Sequence, residues 1–339
     1  MIRKTLILGL ETSCDDTAAA VVLNGRNVLS SVVSSQEQFH RRFGGIVPEI
    51  ASRCHLDYIN PVIDEALSKA GVALSDLDGI AVTYGPGLVG SLLVGVSTAK
   101  ALAYTLDLPL MAVNHLEGHI YANFLTGTVI TFPLLCLVVS GGHTSLIYMH
   151  DHGRMETIGR TRDDAAGEVF DKVARALGLG FPGGAIIDRL AQQGDAEAFN
   201  FPRALMTEEG KLDFSFSGVK TSVLNCIQRE AEKGNKVNTA DLAAAFQDAV
   251  VDVLVEKSLL AIRKKGTKQF LLAGGVAANG ELRRRLRQRL ANEEIELVYP
   301  PAELCTDNGA MIASAGYFYL HQGRTAPWDL NAIPNLELD

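Results

Sequence analysis

The stretch LILGLETSCDDTAAAVVL (residues 6–23) decides the expectation for the fold. It contains two apolar runs, Leu6–Leu10 and Thr17–Leu23, on either side of the short polar turn Glu11–Asp16. Continuous apolar runs of this length that are bounded by turn residues are typical of buried strands. A third run, Asn27–Val33, follows directly. The N-terminal region is therefore predicted to be a strand–turn–strand unit followed by a further strand.

The second half of the chain repeats this plan. The stretch LLCLVVSGGHTSLIYM (residues 134–149) again places a small polar turn between two apolar runs, and Met155–Gly159 supplies a third strand. Helical spacing over Val47–Ala70, with a break or kink expected at Pro61, and over Leu88–Leu106 provides crossovers between parallel strands. The repeat predicts an α/β protein of two similar lobes with a ligand cleft between them. We expect residues 1–131 with about 305–325 to form the first lobe, and residues 132–304 the second.

Composition limits the class of protein. The 339 residues carry 31 Lys and Arg against 39 Asp and Glu, and 47% are hydrophobic, which excludes a disordered chain. Five separated cysteines without a CxxC pair argue against a disulfide framework or zinc ribbon and favour a reducing cytoplasm. The charge-free stretches Gly79–Ala99 and Gly118–His150 are interrupted by Gly and Pro, so core elements are expected rather than membrane spans.

The segment HLEGH (residues 115–119) predicts a metal site. His115 and His119 at positions i and i+4 share one face of a helix and can ligate one ion. Glu117 follows the first His by two residues, roughly 200° around the helix, so it cannot serve as the base of an HExxH protease. Asp307 is the best candidate for a third ligand, and two His with one carboxylate suit a ferrous or zinc-like ion. The alternative is an accidental pair of histidines on a helix surface.

Glycine-rich turns predict contacts to a nucleotide. SGGHT (residues 140–144) exposes backbone N–H groups at a strand end, and AGGVAAN (residues 273–279) joins a buried strand to a helix start. FPGG (residues 181–184) lies between Asp171 and Asp188, and a carboxylate such as Asp188 could accept hydrogen bonds from ribose hydroxyls or a polar substrate tail. The AGGVAAN turn itself contains no GxGxxG motif, so a dinucleotide site is not supported there. Ordinary hairpin turns and helix caps are the alternatives.

Positive charge is concentrated in one segment of an acidic protein. Residues 256–290 hold ten Lys and Arg but only two Glu, although the whole chain has a formal net charge of −8. This segment predicts a local phosphate-binding face, with Arg283, Arg284 and Arg285 as candidate contacts. The alternative is a pair of solvated helix faces.

The order of the polar turns resembles the phosphate-1, phosphate-2 and adenosine motifs of the acetate kinase, sugar kinase, Hsp70 and actin superfamily, which implies two RNase H-like lobes. Longer strings resemble the TsaD family of bacterial tRNA threonylcarbamoyladenosine transferases from Ile7 to about Gly316. They are ETSCDDT (11–17), GGIVPE (44–49), YGPGL (84–88), HLEGH (115–119), VSGGHT (139–144), DFSFSG (213–218), GGVAAN (274–279) and CTDN (305–308).

This resemblance implies site residues by position. It implies a divalent metal, Fe²⁺ with Zn²⁺ as the alternative, on His115, His119 and Asp307. It implies a catalytic acidic pair at Asp15 and Asp16, where many members have Glu at the second position. The implied adenylate-binding residues are Val139, Ser140, Gly141, Gly142, His143, Asp171, Gly184, Asp188 and Asn279. Mg²⁺ is a further expected ion where a nucleotide is bound.

The resemblance also implies the reaction and its partners. The expected reaction is transfer of the threonylcarbamoyl group of threonylcarbamoyl-AMP to N6 of adenosine 37 in tRNAs that read ANN codons. Expected partners are tRNA, a TsaB-like inactive paralogue, a TsaE-like ATPase and a second copy of the chain, without a membrane. The alternatives are a small-molecule kinase or ATP-dependent switch of the same fold with a structural metal, and a catalytically inactive scaffold.

Overall fold

The computed structural model describes residues 4–41, 43–206 and 211–338. The chain forms two compact units. Unit 1 comprises Met1–Ile130, Asp151–Met155 and Pro300–Asp339, and unit 2 comprises Thr131–His150 and Glu156–Tyr299. Each unit contains a five-stranded mixed sheet with helices around it, so the prediction of a two-lobed α/β protein is confirmed.

The sheet of unit 1 is built on the hairpin that the sequence predicts. Its strands are β1 (Leu6–Glu11), β2 (Asp16–Leu23), β3 (Asn27–Ser35), β4 (Gly79–Gly85) and β5 (Leu110–Asn114). They lie in the order β3-β2-β1-β4-β5, with β1–β2 and β2–β3 antiparallel and the other two pairs parallel. Glu11 therefore ends β1 at the edge where the polar turn and the carboxyl ends of β4 and β5 meet.

The sheet of unit 2 repeats the arrangement around its own hairpin. Its strands are β6 (Leu134–Val139), β7 (Thr144–Asp151), β8 (Arg154–Arg160), β9 (Gln269–Ala273) and β10 (Glu296–Val298), in the order β10-β9-β6-β7-β8. β6 and β7 pair antiparallel, while β6 and β9 pair parallel. The carboxyl ends of β6 and β9 thus bring two of the predicted glycine-rich turns to one edge.

The helices, in chain order, are α1 (Glu37–Arg41), α2 (Pro48–Ala70), α3 (Val89–Leu106), α4 (His115–Tyr121), α5 (Ala166–Ala176), α6 (Gly183–Ala191), α7 (Ser217–Glu232), α8 (Thr239–Lys265), α9 (Gly280–Ala291) and α10 (Gly309–His321). α2 continues through Pro61, where a break or kink was expected, and ends at Gly71 in the left-handed conformation. β5, β10 and α1 were not foreseen, because each is only three to five residues long.

Helix α10 packs directly against β1 and β2, and this packing places its N-terminal loop at the polar edge of unit 1. The helix approaches the strands at two glycines: a Cβ on Gly309 would lie 2.6 Å from Ala20 N, and a Cβ on Gly9 would collide with Gly309 O. Such close contact between helix and sheet needs glycine on both sides. It fixes the position of Asp307, two residues before the helix.

Helix α3 is the one helix within the described ranges that is long and apolar enough to span a membrane, with a mean hydropathy of 1.3 over 18 residues. It packs against β4 and α2, with Leu92, Val96 and Ala99 buried. These residues face the core of unit 1, whereas Val89 and Leu93 on the same helix are exposed.

Candidate functional site

Helix α4 carries two of the predicted metal ligands at its first and fifth residues. The side chain of Asn114 accepts a hydrogen bond from Leu116 N (2.9 Å) and caps the helix, so His115 is its first residue. His119 lies one turn later, and the two ring centroids are 4.7 Å apart. Asp307 approaches from the loop before α10, with Oδ1 3.3 Å from His119 Nε2 and 3.6 Å from His115 Nε2.

These three side chains fit a divalent metal ion. One ligand atom from each lies within 4.8 Å of the other two. Both ring nitrogens of His119 are buried without a hydrogen-bond partner, although such buried polar atoms are normally paired. Two imidazole nitrogens and one carboxylate oxygen leave positions open for substrate on an ion such as Fe²⁺ or Zn²⁺. Sequence spacing predicts that His115 and His119 share a helix face, and α4 places them so, while Asp307 joins them from the loop before α10.

Glu11 is a fully buried carboxylate beside this group, and no role was predicted for it. Its Oε1 accepts a hydrogen bond from Ser13 N (2.5 Å), and its Oε2 accepts one from Thr83 Oγ1 (2.5 Å). Oε2 also lies 3.1 Å from His115 Nδ1. Burial alone would raise the pKa of Glu11, but the His115 ring lowers it below its ordinary value. The only signal in the sequence was an acidic residue at the end of an otherwise apolar strand.

Electrostatics at this edge raise the pKa of His115. Burial alone would lower it, but the carboxylates of Asp307 and Glu11 outweigh burial and raise the pKa to about 9. Two carboxylates around one imidazole make the site strongly attractive to a cation. A metal ion at this site would displace a proton from His115.

The predicted acidic pair lies at the turn between β1 and β2, with both side chains partly buried. Burial and the nearby Asp307 charge raise the pKa of Asp15 above its ordinary value and that of Asp16 to about 7. Asp16 Oδ1 is buried without a hydrogen-bond partner. Burial and neighbouring carboxylates also raise the pKa of the Cys14 thiol, which disfavours a thiolate nucleophile.

A buried histidine that the sequence did not single out supports this turn. His55, on α2, lies 2.8 Å from Thr17 Oγ1 through Nδ1 and 2.9 Å from Cys14 O through Nε2. The N–H of Gln36 donates to Asp15 O at 3.1 Å. These contacts fix the backbone on both sides of the acidic pair.

The C-terminal segment is hydrogen-bonded to the same edge of unit 1. Asn114 Nδ2 donates to Glu337 O (3.1 Å), and Gly87 N donates to Pro334 O (3.0 Å). Leu338 is buried. The residue that caps α4 is thus also held by the end of the chain, a contact across more than 200 residues that no local pattern predicts.

In unit 2, the turn after β6 is closed by its own hydrogen bonds. Ser140 N donates to His143 O (2.8 Å), and His143 N donates to Ser140 Oγ (3.2 Å). Side chains added at Gly141 or Gly142 would meet no atom within 4 Å, so the backbone at both positions is open to a ligand. Val139, directly before the turn, is buried at the end of β6.

The glycine-rich turn after β9 packs against this first turn. Gly274 has φ +88°, and a Cβ there would lie 2.5 Å from Val139 O. Asn279 caps α9 by accepting from Leu282 N (2.9 Å) and donates through Nδ2 to Gln247 Oε1 (2.9 Å). The structure therefore brings together the predicted adenylate residues at the ends of β6 and β9.

The two predicted aspartates of unit 2 hold helix starts. Asp171 Oδ1 accepts from Gly183 N (2.7 Å), which fixes the turn before Gly184. Asp188 Oδ2 accepts from Gly280 N (2.9 Å), while its Oδ1 is buried without a hydrogen-bond partner. Asp188, Gln247, Gly280 and Arg284 are among the residues that line a cavity of about 410 Å³ in unit 2. This cavity is a candidate binding site next to Asn279.

The three predicted tRNA contacts on α9 differ in their surroundings. Arg285 is half-buried and ion-paired with Asp248, Asp252 and Glu281. Arg284 is exposed and pairs with Glu281 (2.7 Å). Arg283 donates through Nε to the backbone oxygen of Ala277, and its guanidinium lies over the ring of Tyr299. Carboxylates thus neutralise a large part of the charge that the sequence concentrates here.

Fold and site together define a protein with two α/β units, one carrying a histidine–carboxylate group suited to a divalent metal and the other carrying glycine-rich turns after β6 and β9. A solved structure of HypF from T. kodakarensis shares the fold, with a TM-score of 0.63 at 16% identity over 96% of this chain and 49% of that one. The family model of TsaD, tRNA N6-adenosine threonylcarbamoyltransferase, matches residues 27–314, and the chain belongs to this family.

Relatives of that description match over their full length. The chain is 61% identical to the tRNA N6-adenosine threonylcarbamoyltransferase of Symbiobacterium thermophilum over 337 residues, which cover 99% of this chain and 98% of the relative. It is 57% identical to that of Desulfitobacterium hafniense over 332 residues, with 98% and 97% covered.

Proposed function

We propose that the protein transfers the threonylcarbamoyl group of threonylcarbamoyl-AMP to N6 of adenosine 37 in tRNAs that read ANN codons, with release of AMP. The observation that carries this proposal is the 61% identity, over nearly the whole of both chains, to a relative named for this activity. The steps below are assigned to the site residues that the sequence nominates.

The reaction joins a poor nucleophile to an activated acyl group. The N6 lone pair attacks the carbonyl carbon of the carboxylic–phosphoric anhydride and forms the new C–N bond. The C–O bond to the phosphate breaks, its electron pair leaves with AMP, and N6 loses a proton. Because the N6 lone pair is delocalised into the purine, the enzyme must position the base, stabilise the oxyanion and accept the proton.

In unit 1, His115, His119 and Asp307 would hold the metal ion, with Fe²⁺ as the proposed ion and Zn²⁺ as the alternative. When bound, this ion supplies a Lewis acid for the threonylcarbamoyl group. Asp15 is the proposed acceptor of the N6 proton, directly or through a water that it orients. Asp16 is the second member of the acidic pair and stands one methylene shorter than the Glu found in many family members.

In unit 2, the glycine-rich turns would hold the adenylate. Ser140 N is already used in the turn, so the phosphate role falls to the N–H groups of Gly141 and Gly142. The unpaired Oδ1 of Asp188 is suited to a ribose hydroxyl. Asp171, Gly184 and Asn279 maintain the helix starts around the cavity, His143 closes the phosphate turn, and Mg²⁺ would accompany a nucleotide there.

The proposed partners are tRNA, a TsaB-like paralogue, a TsaE-like ATPase and a second copy of this chain, and the proposed location is the cytoplasm. The exposed Arg284, with Arg283 beside it, is the best-supported tRNA contact on α9, because Arg285 is already surrounded by three carboxylates.

The test is direct transfer with the partner proteins supplied. The protein, synthetic threonylcarbamoyl-AMP and an unmodified tRNA transcript are incubated, and mass spectrometry of the digested tRNA reads adenosine 37. The wild type should add the threonylcarbamoyl mass there. Asp15→Asn should slow transfer by about 10²-fold or more, the usual contribution of a positioned acid or base, whereas Cys14→Ser should transfer normally. Normal transfer by Asp15→Asn would remove Asp15 as proton acceptor, and a wild type that leaves adenosine 37 unmodified would refute the proposed reaction.

A further inference from the structure

The carboxylate of Glu11 has no role in the mechanism above, yet it is among the most completely buried charged groups in the described part of the chain. Its relative exposure is 0%, at the end of a strand whose other residues are almost all apolar. A buried carboxylate is costly unless several donors compensate it. A position of this kind in a strand would ordinarily hold an apolar residue, so the contacts of Glu11 indicate why an acid is present.

Glu11 accepts hydrogen bonds with both oxygens. The backbone N–H of Ser13 donates to Oε1, and the Thr83 hydroxyl donates to Oε2, each at 2.5 Å. The third neighbour is the ring of His115, whose Nδ1 lies 3.1 Å from Oε2 and 3.2 Å from Ser13 Oγ. The hydroxyl can donate or accept, whereas the ionised carboxylate can only accept. A group that already accepts from an N–H and an O–H is suited to accept from His115 as well, so Nδ1 carries the hydrogen.

A hydrogen on Nδ1 determines what the other side of the ring can do. The Nε2 atom of His115 faces Asp307 Oδ1 at 3.6 Å, within the same group as His119. In the Nδ1–H tautomer, Nε2 presents a lone pair in this direction, which is the form that a metal ion requires. The carboxylate also fixes the plane of the ring, because Glu11 is anchored by Ser13 in the turn after β1 and by Thr83 on β4.

We propose that Glu11 is a positioning residue for the metal centre: it holds His115 in the Nδ1–H tautomer with Nε2 directed at the ion. This inference rests on the metal site proposed above. The turn between β1 and β2 and the metal group would then be one structural unit, because the same carboxylate binds the backbone of the turn at Ser13 and the first metal ligand.

Glu117 provides a matched control on the same helix. It is also a buried carboxylate, 8% exposed, and it lies between the two histidines in the sequence. Its Oε2 has no hydrogen-bond partner, and Arg324 is the charge that acts on it most. Glu11→Gln and Glu117→Gln therefore each replace a buried carboxyl group with an amide, but only the first removes the carboxylate that faces His115.

The first experiment measures Co²⁺ binding to metal-free full-length protein by calorimetry and by visible d–d absorption, with thermal unfolding of each variant as a check on folding. Glu11→Gln should raise the Kd for Co²⁺ by about 10–100-fold, the usual effect of losing such an outer carboxylate, and should alter the d–d spectrum. Glu117→Gln should keep the wild-type Kd and spectrum. Equal binding by Glu11→Gln and wild type would overturn the inference, and a wild type that binds no Co²⁺ would overturn the metal site itself.

A second experiment needs no substitution at Glu11. In wild-type protein loaded with Zn²⁺ and labelled with ¹⁵N-histidine, His115 should show a protonated Nδ1 and a metal-bound Nε2. A metal-bound Nδ1 would contradict the proposed orientation, even if Glu11→Gln proved too unstable to assay.

Discussion

Substitution of Gly274 by alanine tests how the two glycine-rich turns of unit 2 are joined. Gly274 has φ +88° and ψ 168°, a region of backbone conformation that is nearly exclusive to glycine. A Cβ there would lie 2.5 Å from the oxygen and 2.8 Å from the carbonyl carbon of Val139. The carbonyl belongs to the end of β6, a central strand, so it cannot move away as the end of a flexible side chain could.

Two costs add in Gly274→Ala. The unfavourable backbone conformation costs about 1–3 kcal/mol, and forcing a methyl group into packed backbone costs about 1–3 kcal/mol more. The expected loss in the free energy of unfolding is therefore about 2–6 kcal/mol. For a unit of this size each kcal/mol corresponds to about 2–4 °C, so the melting temperature of unit 2 should fall by about 4 °C or more.

Gly275→Ala is the matched control, because a Cβ at Gly275 would meet no atom within 4 Å. Both variants are compared by thermal unfolding followed by circular dichroism and by hydrogen exchange in peptides from β6 and β9, with ADP affinity measured by calorimetry. Gly274→Ala should lose protection in both strands and bind ADP more weakly, while Gly275→Ala should retain the wild-type melting temperature. If the two variants melted within 2 °C of each other by this assay, the close approach of Gly274 to Val139 would not be the constraint that we infer.

Two further predictions concern acid stability and the basic helix. Burial lowers the pKa of His152 to about 4, with its ring stacked on Phe318 at 3.9 Å, so the unfolded chain binds one more proton between about pH 6.5 and 4. The stability that neutral His152 contributes is thus present above pH 6.5 and is lost as the pH falls, by about 1–2 kcal/mol after discounting for partial exposure. In thermal melts at pH 7.5 and 4.5, His152→Phe should therefore lose less stability at the lower pH than the wild type does. Arg284→Glu, at an exposed residue, should weaken tRNA binding and reduce the slope of log K against log salt by about one unit per lost phosphate contact without changing the melting temperature. Arg285→Glu should instead lower the melting temperature of unit 2, because it places a fourth carboxylate beside Asp248, Asp252 and Glu281. If tRNA binding by Arg284→Glu kept the wild-type salt dependence, this face of α9 would be an ordinary solvent-exposed face and not a tRNA contact.

The buried polar groups at the edge of unit 1 affect both metal binding and the stability of the fold. Glu11, His115 and Asp307 place two carboxylates and an imidazole in a small volume, and metal binding would relieve the repulsion between the carboxylates. The fold tolerates the buried carboxylate of Glu11 because the N–H of Ser13 in the turn and the hydroxyl of Thr83 on β4 donate to it. We therefore expect the metal site and the first turn to respond together to substitutions.

Local sequence was sufficient for the elements with strong patterns. The apolar runs around the turns at residues 11–16 and 140–143 predicted both hairpins, since a side-chain period and a turn are properties of neighbouring residues. The spacing of His115 and His119 predicted that they share a helix face. Short elements such as β5 and β10 escaped prediction, because three to five residues carry too little pattern.

Only the tertiary structure decided which distant groups meet. The sequence nominated Asp307 as a third ligand, but its position depends on the glycine contact that seats α10 on β1 and β2. The charge of residues 256–290 was counted correctly from the sequence, yet pairing of Arg285 with acids on α8 removes part of it from solvent. Glu11 went unrecognised because its partners, Thr83 and His115, lie 72 and 104 residues away. Sequence determines periodicity and local turns, whereas the partner of a buried charge is set by how strands and helices pack, and that depends on the whole chain.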